Sequence, residues 1–127
     1  MAHFARWAED LGDATQKQIF YPDVDKRDLF RLGYVARHSA HSRGSTVDLT
    51  LVDRATGREV DMGAPFDFMS PKSSFAPMGL ETPQYAARLR LRTAMERRGF
   101  RAYDKEWWHY ALRDEPYPKT YFDFPLR

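Results

Sequence analysis

The stretch Phe100-Arg-Ala-Tyr-Asp-Lys-Glu-Trp-Trp-His-Tyr-Ala-Leu112 decides the fold. Phe100 to Tyr103 and Trp107 to Leu112 carry the aromatic and apolar residues that favour strands, and Asp104-Lys105 supplies a short turn between them. The segment therefore reads as an antiparallel pair. One tension is built in: Glu106 and His109 stand three apart, and regular alternation sends such residues to opposite faces. If both serve one site, Glu106 must sit at the bend before the strand, or a bulge must re-aim one of the two.

Upstream, Thr82-Pro83 opens a helix, with Thr able to cap and Pro favoured at the first position. Ala87, Leu91, Ala94 and Met95 share its apolar face, and Gly99 stops it. Arg88, Arg90, Arg92, Arg97 and Arg98 fall on other faces and read as a solvated surface rather than an anion site. Val47 to Val52 alternates, with Val47, Leu49 and Leu51 on one side; Asp53-Arg-Ala-Thr-Gly57 is a turn and Arg58-Glu-Val60 a returning arm. Residues 61–82 form a long Gly-, Pro-, Ser- and Met-rich loop around Phe66-Asp67-Phe68, and loops of that length are usually functional. The first eleven residues predict an amphipathic helix presenting Phe4, Trp7, Ala8 and Leu11, ended by Gly12 and Asp13. Residues 20–29 read as an irregular connector, and the tail from Asp114 through Phe124-Pro125 as a strap over the body. Together these elements predict one α+β domain over residues 1–127, an antiparallel sheet of about four strands with helices packed on it.

Composition narrows the function. The 127 residues are 43% apolar and 15% aromatic, with a net charge of +2 and interspersed signs. That excludes a disordered tail and gives no reason to expect nucleic acid or an anionic membrane as partner. Cysteine is absent, so any metal site must use His and carboxylates. With no apolar run near the ~20 residues of a membrane span and no signal-peptide core, the expected location is cytoplasmic, or periplasmic if a signal peptide precedes Met1. The apolar stripe of the first helix needs something to pack on and suggests self-association.

Of the histidines, His3 lies on the polar side of the first helix and His38 precedes the segment Ser39-Ala-His41-Ser-Arg-Gly44-Ser-Thr-Val-Asp48. Taken singly, His41, Asp48, Glu106 and His109 are each more often surface, cap or packing residues than functional ones. Together they supply what zinc hydrolysis requires. His41, Asp48 and His109 are three ligands that leave a position open, and Glu106 is a carboxylate off the metal to accept a proton. Gly44 lets the backbone turn so that His41 and Asp48 face one ion.

Ser39-x-His41-x-x-Gly44-x-x-x-Asp48 followed by Glu106-x-x-His109 resembles the zinc signature of the D-alanyl-D-alanine metallopeptidases, closest to the VanX-type D-Ala-D-Ala dipeptidases. Gly33-Tyr-Val, Phe66-Asp-Phe-Met69, Glu106-Trp-Trp-His-Tyr, Leu112-Arg-Asp-Glu-Pro-Tyr-Pro and Tyr121-Phe-Asp-Phe-Pro125 extend the likeness along the chain. The resemblance implies the hedgehog/D,D-peptidase fold, with the site at the sheet's edge. It implies zinc on His41, Asp48 and His109, and Glu106 as catalytic base. It also implies Asp67 on the substrate's ammonium group and Ser39 against the substrate. The implied substrate is D-Ala-D-Ala or a similar small dipeptide, in peptidoglycan precursor metabolism or glycopeptide resistance. On residue chemistry alone, Asp67 reads equally as an Asx-turn residue and Ser39 as a strand-end hydroxyl. The family also uses an arginine in a Tyr-Arg-Pro-like motif. That motif does not occur in these 127 residues, and the resemblance places it, with further helix and strand, upstream of the first helix. A metal-binding module of the same fold without catalysis is the alternative reading.

Overall fold

The computed structural model describes residues 2–123, with side chains from Arg6 onward; the Phe4 and His3 side chains and Phe124-Pro125 lie outside the described residues. Four α-helices are described: α1 (Ala2–Glu9), α2 (Lys17–Phe20), α3 (Leu29–Leu32) and α4 (Thr82–Glu96). The strands are β1 (Thr46–Asp48), β2 (Phe100–Tyr103) and β3 (Glu106–Leu112). They form one antiparallel sheet in the order β1-β3-β2.

The sheet therefore has three strands among the described residues, not four. The alternating Val47–Val52 run pairs only through Asp48 as strand. Beyond it the chain bends into a turn in which Asp53 N donates to the Arg58 carbonyl and Val60 N to the Leu51 carbonyl. Only Val52 and Glu59 form a bridge there, so the hairpin exists but is too short to count as two strands. Val47 is 42% exposed, as befits an edge strand, whereas Leu49 and Leu51 pack on the core.

The β2–β3 hairpin forms as the sequence predicts. Phe100, Arg101 and Ala102 pair with Leu112, Ala111 and Tyr110, after which the register jumps so that Tyr103 faces Glu106. That irregularity is the re-aiming device the Glu106/His109 spacing demands, and it lets the adjacent Trp107 and Trp108 both be buried. The two indoles meet edge-on at 5.2 Å between centroids, with Phe66 against both. Removing an aromatic side chain of this size from water contributes about 4–6 kcal/mol at ~25 cal/mol/Å².

Helix α4 covers this core with Ala87 and Leu91. Its N-cap is Glu81 rather than Thr82, because Gln84 reaches back to accept from Glu81 N at 3.3 Å while Pro83 occupies the first turn. Ala94 is exposed, so the apolar face is narrower than its spacing suggests. Arg88 overturns the reading of a wholly solvated arginine set. It is fully buried, and its guanidinium donates to the carbonyls of Met62, Lys72 and Ser74. The long loop is thus pinned to α4 from within.

A second apolar cluster joins Ala8, Tyr21, Val24, Leu29 and Val35. Helix α1 ends at Glu9, and Leu11 lies beyond it, 56% exposed, because Gly12 and Asp13 already turn the chain. Lys26, only 7% exposed, fixes that turn by donating to the carbonyls of Asp10 and Asp13. The two clusters are bridged near the cleft, where the Tyr103 hydroxyl and Lys105 Nζ donate to the carbonyls of Gly33 and Leu32. Gly33 has φ +81, and a Cβ there would stand 2.7 Å from the Tyr103 hydroxyl, so glycine is required on both counts.

Candidate metal centre

Three local structures deliver the donor atoms. In β1 and β3, Asp48 and His109 are direct cross-strand partners, which puts both side chains on one face of the sheet. His41 comes from a 3₁₀ turn, Ala40–Arg43, immediately before β1. Ser39 opens that turn, its Oγ accepting from His41 N at 3.3 Å, and Gly44 closes it at φ +75 with its N–H on the His41 carbonyl. Ser39 thus holds the backbone of His41, a role the sequence reading did not give it.

The three side chains converge. His41 Nε2 lies 3.2 Å from Asp48 Oδ2, and His109 Nδ1 lies 3.1 Å from Asp48 Oδ1. The imidazoles stand at 89° with centroids 4.9 Å apart, and one donor atom from each residue falls within 4.8 Å of the other two. Ligand atoms at ~2.0–2.1 Å from a tetrahedral ion are separated by about 3.3 Å. Both His–Asp separations match that value, though they run to different oxygens of Asp48, and two imidazoles with a carboxylate are the donor chemistry such an ion takes. Asp48 Oδ1 is buried without a satisfied hydrogen bond, despite its closeness to His109. A lone pair left in that state is what a ligand awaiting a cation presents.

Glu106 completes the cluster, with Oε2 3.5 Å from His109 Nδ1 and a side chain only 12% exposed. Burial, then the charges of Asp48 and Asp67, push its pKa up to about 8. Burial also opposes ionisation of Asp48, but the close approach of the His109 and His41 imidazoles outweighs it and holds the carboxyl at about 2. The Asp48 contact in turn raises His41. Three carboxylates and two imidazoles in one cleft make a strongly cation-seeking site.

The cleft has a volume of about 1130 Å³ and is walled by residues 33–36 just after α3, the His38–Arg43 turn, β2, β3 and the 61–82 loop. Asp67 lines it with φ 57, the one non-glycine residue in the left-handed region among those described. Among the described residues no hydrogen bond ties its carboxylate to the loop, so the Asx-turn reading fails. Residue Asp67 is open to solvent, yet the concave wall still desolvates its carboxyl, and with Asp48 nearby its pKa is raised. Ser39 lines the same cleft, so all six residues singled out from the sequence meet there.

Sequence reasoning missed Tyr34 and Tyr103, which flank Glu106 closely enough for burial and its charge to raise both phenols. It also missed Arg43, whose partner lies far down the chain. Nothing in local spacing signals either.

The sequence matches the family described as D-ala-D-ala dipeptidase over residues 4–127. It is 48% identical over 124 residues to a D-alanyl-D-alanine dipeptidase of Enterococcus faecium and 48% over 123 residues to one of Enterococcus faecalis. A D-alanyl-D-alanine dipeptidase of Streptomyces coelicolor is 44% identical over 123 residues. These alignments cover 98%, 97% and 97% of this chain but 61% of each relative. The chain therefore spans about three fifths of the length of the curated relatives it matches.

Proposed function

The chain belongs to the D-ala-D-ala dipeptidase family, and on that premise we propose that it serves zinc-dependent hydrolysis of D-Ala-D-Ala. The observation that carries this reading is the convergence of His41 Nε2, Asp48 and His109 Nδ1, with the Glu106 carboxylate beside them in the cleft.

His41, Asp48 and His109 would hold the ion, because their donor atoms already face one another at metal-compatible spacing. A bound zinc supplies a Lewis acid and lowers the pKa of its water toward ~7. Glu106 accepts the proton of the attacking water and delivers it to the amine that leaves. Its raised pKa suits a group that must both take and return a proton near neutrality, and a nearby dication draws that value down. Asp67, held in the cleft by an unusual backbone conformation, pairs with the ammonium end of a dipeptide. Ser39 Oγ, already an acceptor for His41 N, keeps its own hydroxyl proton for donation to the substrate.

The test is release of D-Ala from D-Ala-D-Ala by zinc-loaded protein, run beside a chelated sample and a chelated sample with zinc restored. Turnover lost on chelation and regained with zinc is expected. Stoichiometric zinc binding with no cleavage of the dipeptide overturns the catalytic reading and leaves a metal-binding module.

A further inference from the structure

Two of the three donors, Asp48 and His109, are fixed by a strand ladder. His41 sits on a four-residue 3₁₀ turn with no ladder of its own. Beyond the local bonds of Ser39 and Gly44, further support for that turn comes from the other end of the chain. Arg43 makes a forked pair with Glu115, Nε to Oε2 at 2.6 Å and Nη2 to Oε1 at 2.9 Å, across 72 residues of sequence. The pair is sheltered, with side chains 15% and 6% exposed, and Arg101 approaches the same carboxylate at 3.7 Å. On the other side of His41's neighbour, Phe122 N donates to the Ser42 carbonyl at 2.7 Å. The Tyr121 ring completes the grip, lying 5.3 Å from the His38 ring and 5.7 Å from the Arg43 guanidinium. The tail therefore touches the residues at 38, 42 and 43, on both sides of the ligand.

We propose that Glu115, acting through Arg43, is a positioning residue for the metal centre: the C-terminal strap does for His41 what the sheet does for Asp48 and His109. The inference rests on the metal-site reading above. A forked guanidinium–carboxylate pair fixes both distance and plane, which a single contact does not. The residue it fixes is two positions from a ligand in a turn that reverses at Gly44. Outer contacts that orient a ligand typically alter metal affinity 10–100-fold when removed.

The experiment measures zinc affinity by competition with a chromophoric chelator, together with the visible spectrum of the cobalt(II)-substituted protein. It compares the wild type with Glu115→Gln, Glu115→Asp and Lys26→Met. Lys26→Met removes a buried anchor of the α1 turn and serves as a control for general loss of stability. Urea unfolding of the metal-free forms puts stability loss on a common scale. Glu115→Gln should weaken zinc binding roughly 10–100-fold and alter the cobalt spectrum. Glu115→Asp, which keeps the charge but shortens the reach, should fall between it and the wild type, and it covers the case in which the glutamine form does not fold. Lys26→Met should lose stability with zinc affinity and cobalt spectrum unchanged. Zinc affinity within twofold of wild type in both Glu115 variants overturns the proposal, as does an equal loss in Lys26→Met. A wild type that binds no zinc instead overturns the metal-site reading itself.

Discussion

Replacing Arg88 with methionine tests the claim that a single buried guanidinium holds the loop carrying Asp67. Arg88 is fully buried and donates to three carbonyls, those of Met62, Lys72 and Ser74. Hydrogen bonds from a charged donor contribute about 2 kcal/mol each net, so three amount to about 6 kcal/mol. Against this stands the cost of burying the charge, which pushes the Arg88 pKa down to about 10 from 12.5. At ~1.36 kcal/mol per pH unit that displacement offsets about 3 kcal/mol, leaving a net contribution of about 3 kcal/mol. Methionine fills similar space but satisfies none of the carbonyls. Urea unfolding should show a midpoint lower by about 1–2 M at an unchanged slope. Amide exchange should accelerate first in residues 62–74, ahead of the sheet. Arg88→Lys, which keeps a cation but not the fork, should recover part of the loss. A methionine variant within about 0.5 kcal/mol of wild type would refute the reasoning, because the three carbonyls would then be finding water at no cost.

Glu106→Gln should lower D-Ala-D-Ala hydrolysis by about 10²–10⁴-fold while zinc stoichiometry stays at the wild-type value, since Glu106 is assigned to the proton and not to the metal; metal analysis showing zinc lost together with activity would make it a ligand instead. The metal-stripped protein should be most stable near pH 4–5 in thermal unfolding. Asp48 is held at about 2 against an ordinary 3.8, so its stabilisation is present above about pH 4 and lost as pH falls through 2. Glu106 is raised from 4.5 to about 8, and an acid raised on folding costs stability progressively as pH climbs through that interval. His41, also raised, loses its contribution in the same direction. Zinc should reverse the slope above pH 5, because the ion requires deprotonated ligands; a metal-free stability that rises steadily from pH 5 to 8 contradicts these assignments.

The parts of this molecule legible in its sequence are those set by local chemistry. The aromatic runs around Asp104-Lys105 specify the β2–β3 hairpin, and Pro83 and Gly99 bracket α4 to within three residues. Even the irregularity beside Tyr103 follows from asking how Glu106 and His109 can share a site. Long-range satisfaction of polar groups is what local spacing does not report. Arg88 looks like four other arginines until three carbonyls are brought to it, and Arg43 shows no sign of its partner across 72 residues. The Val47–Val52 alternation is true to a half-buried strand, but pairing as strand ends at Asp48 although β3 continues to Glu106, because after Leu49 N meets the Trp108 carbonyl the chain turns to pair with itself around Asp53–Gly57.

The pairing of Asp48 with His109 also has a topological meaning. The two residues stand about sixty positions apart in sequence, so an ion gripped by both closes a loop as a disulfide would. In the chain-entropy description a cross-link across about sixty residues is worth about 4 kcal/mol, because it restricts the unfolded chain. Unlike a sulfur bridge, such a clasp would need no oxidant and would come undone with a chelator. With the proposed ion in place, a cysteine-free chain would gain a reversible staple between β1 and β3.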